Sequence, residues 1–235
     1  MTWRLLISFN LLIYSAIAAE VSGTIELRDS RLDSVTRRHD YSGVVVSLSP
    51  AKTVSDPKSA ARAQMVQKNK TFTPHILPIF TGTVVDFPNY DPIFHNAFSS
   101  YSGQIFDVGL YPPGTSRAVR FAKPGIVRVF CNIHPTMSAI IVVLGTPYFA
   151  KTAADGAFKI DVPPGDYELG IFHERASESA LGTLSRRVTV GAEPVHLPAL
   201  VVSESGYLPV SHTNKYGKPN PPSTPDNSVY PGARN

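Results

Sequence analysis

The 235-residue chain carries 21 prolines and 16 glycines, and they separate short apolar runs from one another. No long apolar stripe at the 3.6-residue helical period survives that spacing, so the chain is expected to be all-β. Glu20–Leu27 and Gly43–Ser49 alternate or run apolar and read as two early strands. Further strands are expected near 75–80, 83–87, 96–99, 118–121 and 125–131, and an apolar run at Ser138–Leu144 fits a central strand covered on both faces. Arg28–Tyr41 is polar and reads as a loop, and Pro50–Ala63 as a linker.

With 43% hydrophobic residues there is enough apolar material for a large core or two small ones. The formal charge of +4 is mildly positive and the basic residues do not cluster, which argues against a nucleic-acid partner. Residues 1–19 combine Arg4, a short apolar core from Leu5 to Ile17 and the small-residue pair Ala16 and Ala18, the pattern of a signal peptide. The apolar core falls short of the roughly 20 residues a bilayer span requires, and no later stretch could span. An exported chain is therefore expected, periplasmic or secreted, without a membrane span once the signal is removed.

The one cysteine lies in Val127-Arg-Val-Phe-Cys131-Asn-Ile-His134-Pro-Thr-Met137. A single cysteine in an oxidising compartment has no internal disulfide partner, and a bound metal would occupy it. Val127, Val129 and Cys131 share one strand parity, which points the thiol to the side of the two valines. Thiolate, imidazole and thioether in one tight loop favour copper over hard cations, and a His₂Cys plane with a weak axial Met asks for one more imidazole. His95, in Phe87-Pro-Asn-Tyr-Asp-Pro-Ile-Phe-His95-Asn96, is the candidate. Taken singly, each has a plainer reading: an inert buried thiol, a loop histidine, a core methionine.

These residues resemble the cupredoxins, the small blue copper proteins that include plastocyanin, pseudoazurin and amicyanin. Phe72-Thr-Pro, the turn at Gly82, the strand after it and Asn89 are similar to that family's pattern, and Cys-x-x-His-x-x-Met is the short amicyanin spacing. The resemblance covers about residues 60–145 and implies a Greek-key β-barrel or sandwich. It implies one type 1 copper held by His95, Cys131, His134 and Met137, with Asn96 tying two loops together behind the ligands. It also implies an electron port at His134 and Pro135, and a periplasmic redox partner such as a cytochrome or dehydrogenase. Ile133 stands where the family often has proline. Its N–H adds a donor near the sulfur that proline would lack, an expected cause of a raised potential.

After residue 146 the pattern Asp155-Gly-Ala-Phe158…Pro163-Pro-Gly165-Asp-Tyr167-Glu-Leu begins a second β segment, with Asp-Gly as a hairpin turn. It resembles the carboxypeptidase-regulatory-like domain, a small Ig-like β-sandwich, and the whole chain resembles methylamine-utilisation-type plastocyanin-like proteins that join the two. Strands are expected near 167–173, 184–190 and 196–202. The opening strands of that sandwich are absent before residue 146 but present in 20–52. The cupredoxin part, 60–145, is therefore expected to be inserted into a discontinuous sandwich completed by 146–205. Residues 206–235 are rich in proline and poor in aliphatics and are expected to lack a packed structure.

Four protein ligands around one copper leave no open position for substrate, so no enzyme is expected. The alternatives are a copper-handling or scaffold protein that shuttles no electrons, and a catalytic subunit that would need a second, open copper. Neither an H-x-H pair, a G-x-S-x-G elbow nor an H-E-x-x-H zinc motif occurs.

Overall fold

The computed structural model describes residues 18–51, 61–100, 103–134, 136–207 and 215–218. The first strands are β1 (Ala19–Arg28) and β2 (Val45–Pro50), with a one-turn helix α1 (Asp33–Thr36) between them. Next come β3 (Arg62–Gln64), β4 (Val66–Lys68), β5 (Thr71–Thr73), β6 (Ile76–Phe80), β7 (Val84–Pro88), β8 (Phe98–Ser99) and β9 (Phe106–Asp107). They are followed by β10 (Ser116–Arg120), β11 (Gly125–Phe130) and β12 (Ser138–Leu144). The last group is β13 (Phe149–Lys151), β14 (Ala157–Val162), β15 (Gly165–Phe172), helix α2 (Glu178–Gly182), β16 (Arg186–Val190), β17 (Val195–His196) and β18 (Leu200–Ser203). The architecture is all-β, and no helix among the described residues is long and apolar enough to cross a membrane.

The strands pair within two sets. β1 runs antiparallel to β14 and parallel to β17 and β18, while β2 lies between β13 and β15, with β16 beyond. The strands between residues 62 and 144 ladder with one another, in the orders β10-β7-β3 and β6-β12-β11-β8-β9 with a separate β4-β5 hairpin. Residues 19–50 thus pair with 149–203 across the intervening segment. Alternation explains the first core: Val21, Ile25 and Leu27 of β1 point inward against Phe158 and Ile160 of β14, and Leu48, Leu169 and Val188 join from the facing sheet.

The second core shows why β12 is apolar along its whole length. Ala139, Ile141 and Val143 face Val127 and Val129 of β11, Phe87 and Tyr111. The opposite parity, Ile140 and Val142, packs with Ile76 of β6 and with Val45 from the other strand set, flanked by Phe172. Each such side chain removed from water is worth roughly 1.5–3 kcal/mol, so this seam fixes the two strand sets together. Beside it lies a polar cluster: Arg175 donates to Glu174 at 2.8 Å and to Glu204 at 2.9 Å, and His173 Nε2–H donates to Glu204 at 2.8 Å. His75, at the edge of β6, joins through Glu174 at 2.8 Å and through the carbonyl of Ser138 at 3.1 Å. Both partners are acceptors, and the Glu174 carboxylate raises the imidazole pKa above its usual value.

Several details differ from the sequence expectation. Ala19 is buried and pairs with Val162, so the folded strand begins one residue inside the segment assigned to the signal. Helix α1 occupies a stretch expected to be a loop, and α2 lies between two expected strands where no element was expected. Each spans five residues or fewer, too short to leave a period, and α2 is marked locally only by Ser177, whose hydroxyl accepts from the Ala180 amide at 3.2 Å. Of the tail expected to lack structure, Gly206, Tyr207 and Lys215–Lys218 are described; the Tyr207 amide donates to the Glu204 carbonyl at 3.2 Å and Lys215 is hydrogen-bonded to the loop after β11, while 208–214 and 219–235 lie outside the described residues, as do residues 1–17 of the signal.

Candidate metal centre

Cys131 follows β11, and its side chain is fully buried on the same side as Val127 and Val129. The loop after it is closed by the backbone: the Met137 amide donates to the His134 carbonyl at 2.9 Å, and the Cys131 amide to the Met137 carbonyl at 3.2 Å. That tight return places His134 back over the sulfur and sends Met137 into the same buried cluster as Cys131. His95 arrives from the neighbouring loop, between β7 and β8. β8 pairs with β11 at Phe98 and Phe130, and His95 exchanges both backbone bonds with Tyr111, at 3.2 and 2.9 Å. The Tyr111 hydroxyl in turn donates to the Phe87 carbonyl at 2.9 Å, which anchors this bridge to the core.

The three strongest donors converge. The Cys131 sulfur lies 3.9 Å from Nδ1 of His95 and 3.6 Å from Nδ1 of His134, and the three ligand atoms lie within 4.8 Å of one another. Among the described residues this is the one such group of metal-ligating side chains. A late first-row metal with bonds of roughly 2.3 Å to sulfur and 2.0–2.1 Å to nitrogen, at tetrahedral to trigonal angles, would hold sulfur and nitrogen about 3.6–3.8 Å apart. The 3.6 Å span to His134 falls in that range and the 3.9 Å span to His95 lies just beyond it. A single thiol proton can serve only one of the two rings, whereas a metal serves both, so the donor set fits a soft cation.

Protonation states agree. Nε2 of His95 lies 2.8 Å from the Asp91 carboxylate, so that nitrogen carries the hydrogen and Nδ1 presents its lone pair to the sulfur side. Burial lowers the His95 pKa, with Asp91 partly offsetting it. Burial, reinforced by His95 and Lys70, brings that of His134 down to about 4. Both rings are therefore neutral at neutral pH. Burial raises the Cys131 thiol, opposed by the amides of Asn96, Ile133 and His134. The Ile133 N–H singled out in the sequence is thus among the groups that favour the thiolate.

Asn96 joins the two ligand loops. Its Oδ1 accepts from the Asn132 amide at 2.7 Å, and its Nδ2 donates to Asp107 at 2.8 Å. Lys215 extends the same network, its amide donating to Asn132 Oδ1 at 3.0 Å and its ammonium to Asp107 at 2.8 Å. Pro135 of the expected electron port lies outside the described residues, while His134 is half-buried. Asp91, Tyr111 and Asp107 were not singled out by sequence. For Asp91 the available signal was a carboxylate four residues before His95, in a loop stiffened by Pro92.

No family model matches the chain, and no curated protein does. Among solved structures, the copper-containing nitrite reductase of Thermus scotoductus SA-01 is similar at 25% identity and TM-score 0.35, over 40% of this chain and 25% of that one. The chain thus spans a quarter of that enzyme's length. A purple cupredoxin of Nitrosopumilus maritimus is similar at 23% identity and TM-score 0.32, over 35% of this chain and 99% of its own. Amicyanin of Paracoccus versutus is similar at 18% identity and TM-score 0.33, over 42% of this chain and 97% of its own.

Proposed function

We propose that the chain is an exported type 1 copper protein that carries single electrons between redox partners. The observation that carries this reading is the convergence of two imidazole Nδ1 atoms on one buried cysteine sulfur, at 3.9 and 3.6 Å. His95, Cys131 and His134 would hold the ion, with Met137 as the weak fourth ligand. Bound copper would supply a one-electron couple. The residues do the rest. The backbone closure from Cys131 to Met137 and the Asn96 bridge hold the donors in place, so a change of oxidation state would demand little rearrangement. The buried wall of Phe87, Tyr111 and Val129 excludes water from the sulfur.

Two features support a surface for a partner. His134 is half-buried, and Tyr90, Phe94 and Leu110, exposed at 61%, 45% and 58%, stand in the loops that carry Asp91, His95 and Tyr111. A periplasmic cytochrome or dehydrogenase is the class of partner such an apolar pole suits. The segment 60–145 is read as a copper-binding unit inserted in a discontinuous Ig-like β-sandwich formed by 20–52 and 146–205, a reading supported by the ladders of β1 and β2. That second unit, which a simple shuttle does not need, favours a copper-handling or scaffold role as the second reading.

Adding Cu(II) to the full chain tests the proposal. An intense visible copper–thiolate band is expected, absent in Cys131→Ser, together with a reversible one-electron titration. No band in the wild type refutes the copper reading. A band without reversible titration favours the copper-handling role.

A further inference from the structure

Charged side chains rarely enter a core unless something holds them there, and Asp91 is 6% exposed. Its carboxylate is fully engaged. Oδ1 accepts from the Asn69 amide at 2.6 Å, and Oδ2 accepts from the Lys70 amide at 2.9 Å and from His95 Nε2–H at 2.8 Å. Its own amide is fixed by Asn89 Oδ1 at 3.0 Å. The two backbone donors come from the two-residue turn between β4 and β5, where Asn69 and Lys70 both adopt φ of +54°. Positive φ at both central positions makes a type I′ hairpin turn. Here that turn directs two successive amides at one carboxylate, a small anion-holding nest.

The carboxylate is therefore locked in place before any metal arrives, and it touches the ring nitrogen on the far side of His95 from the sulfur. We propose that Asp91 is a positioning residue that tunes the copper couple through His95, making the ring a stronger donor and favouring Cu(II) over Cu(I). The inference rests on the copper reading. It goes beyond that reading by naming the residue that biases the two oxidation states. A carboxylate hydrogen-bonded to a ligand imidazole fixes the tautomer and raises ligand basicity, and removing such a partner costs about 10–100-fold in metal affinity. A stronger donor helps the more highly charged ion more. Asp91 thus acts against the amides of Asn96, Ile133 and His134, which withdraw charge from the sulfur.

The test compares Asp91→Asn and Asp91→Glu with the wild-type full chain, by Cu(II) and Cu(I) affinity and reduction potential. It adds the ¹⁵N spectrum of the His95 ring in the copper-free protein. Asp91→Asn is expected to lower Cu(II) affinity about tenfold more than Cu(I) affinity, a rise in potential of about 59 mV for a one-electron couple. Asp91→Glu, which keeps the charge, is expected to recover part of that shift. The wild-type ring is expected to carry its proton on Nε2 even without metal, and Asp91→Asn to lose that preference. Equal losses of both affinities at an unchanged potential would make Asp91 merely structural and overturn the proposal, as would an unaltered affinity and potential. A wild-type chain that forms no copper–thiolate band overturns the copper reading itself, an outcome separable from these because the ring tautomer is read without copper.

Discussion

Asn96→Ala is the substitution that tests most directly how the loops carrying His95 and Cys131 are held. Asn96 is 1% exposed and its two ends bond to different loops, to the Asn132 amide at 2.7 Å and to the Asp107 carboxylate at 2.8 Å. A neutral hydrogen bond contributes about 1 kcal/mol net and one to a charged group about 1.5–3 kcal/mol. Truncation should therefore cost about 2–4 kcal/mol. The lower end is favoured if water reaches Asp107, which keeps its bonds from the Gly109 amide and the Lys215 ammonium. Urea denaturation of the copper-free protein measures it. At a slope of roughly 2 kcal/mol per molar, the midpoint should fall by about 1–2 M. Asn96→Asp is the companion variant. It keeps an acceptor for Asn132 but sets a second carboxylate against Asp107, so it should be at least as destabilising at pH 7 and recover as one carboxylate is protonated in acid. A loss below about 0.5 kcal/mol for Asn96→Ala would refute the bridging role, because it would mean that the two loops hold their separation without it.

Two further outcomes follow from the same structure. The copper-free protein should lose thermal stability as the pH falls from the ordinary histidine value of 6.5 towards about 4, because burial depresses His134 to about 4 and lowers His95 and His173, so the unfolded chain binds protons first. The raised pKa of His75 works the other way, its contribution being complete below 6.5 and lost as pH rises through its folded value; a melting temperature flat across that window would contradict the histidine assignment. Gly156→Ala should destabilise the fold by more than about 2 kcal/mol, since the glycine has φ of +78° and an added Cβ would stand 2.0 Å from the Ile25 carbonyl oxygen; a chemical-denaturation midpoint within error of wild type would show that β1 moves aside freely.

What could be read from the chain alone divides by range. Cys131, His134 and Met137 are legible because their spacing is local: a turn after a strand brings them together whatever surrounds it. The parity of Val127, Val129 and Cys131 is legible for the same reason, and all three are buried as alternation requires. His95 is legible only as the further imidazole that a His₂Cys set asks for, since its approach depends on the pairing of Phe98 with Phe130 and of its own backbone with Tyr111. Asp91 looks like an ordinary solvated loop carboxylate. Its burial is explained by amides about twenty residues upstream, in a turn whose Asn-Lys sequence lacks the usual glycine. The apolar run of β12 reads correctly as covered on both faces, but that one cover comes from Val45 and Phe172 of the other strand set is not written in β12.

The chain leaves the first strand set after β2 and returns to it at β13, so the segment that carries His95, Cys131 and His134 is attached at both its ends. The return path is pinned: Thr146 donates its hydroxyl to the Leu48 carbonyl at 2.8 Å, and the Leu48 amide bonds to the Tyr148 carbonyl at 2.9 Å. A segment with one hinge can swivel, but one moored twice and seated on the Ile140–Val45 seam cannot turn its His95–Cys131–His134 cluster towards its own support. On the proposed function, a redox partner would therefore meet that cluster at an orientation set by the strands that hold Val45 and Phe172.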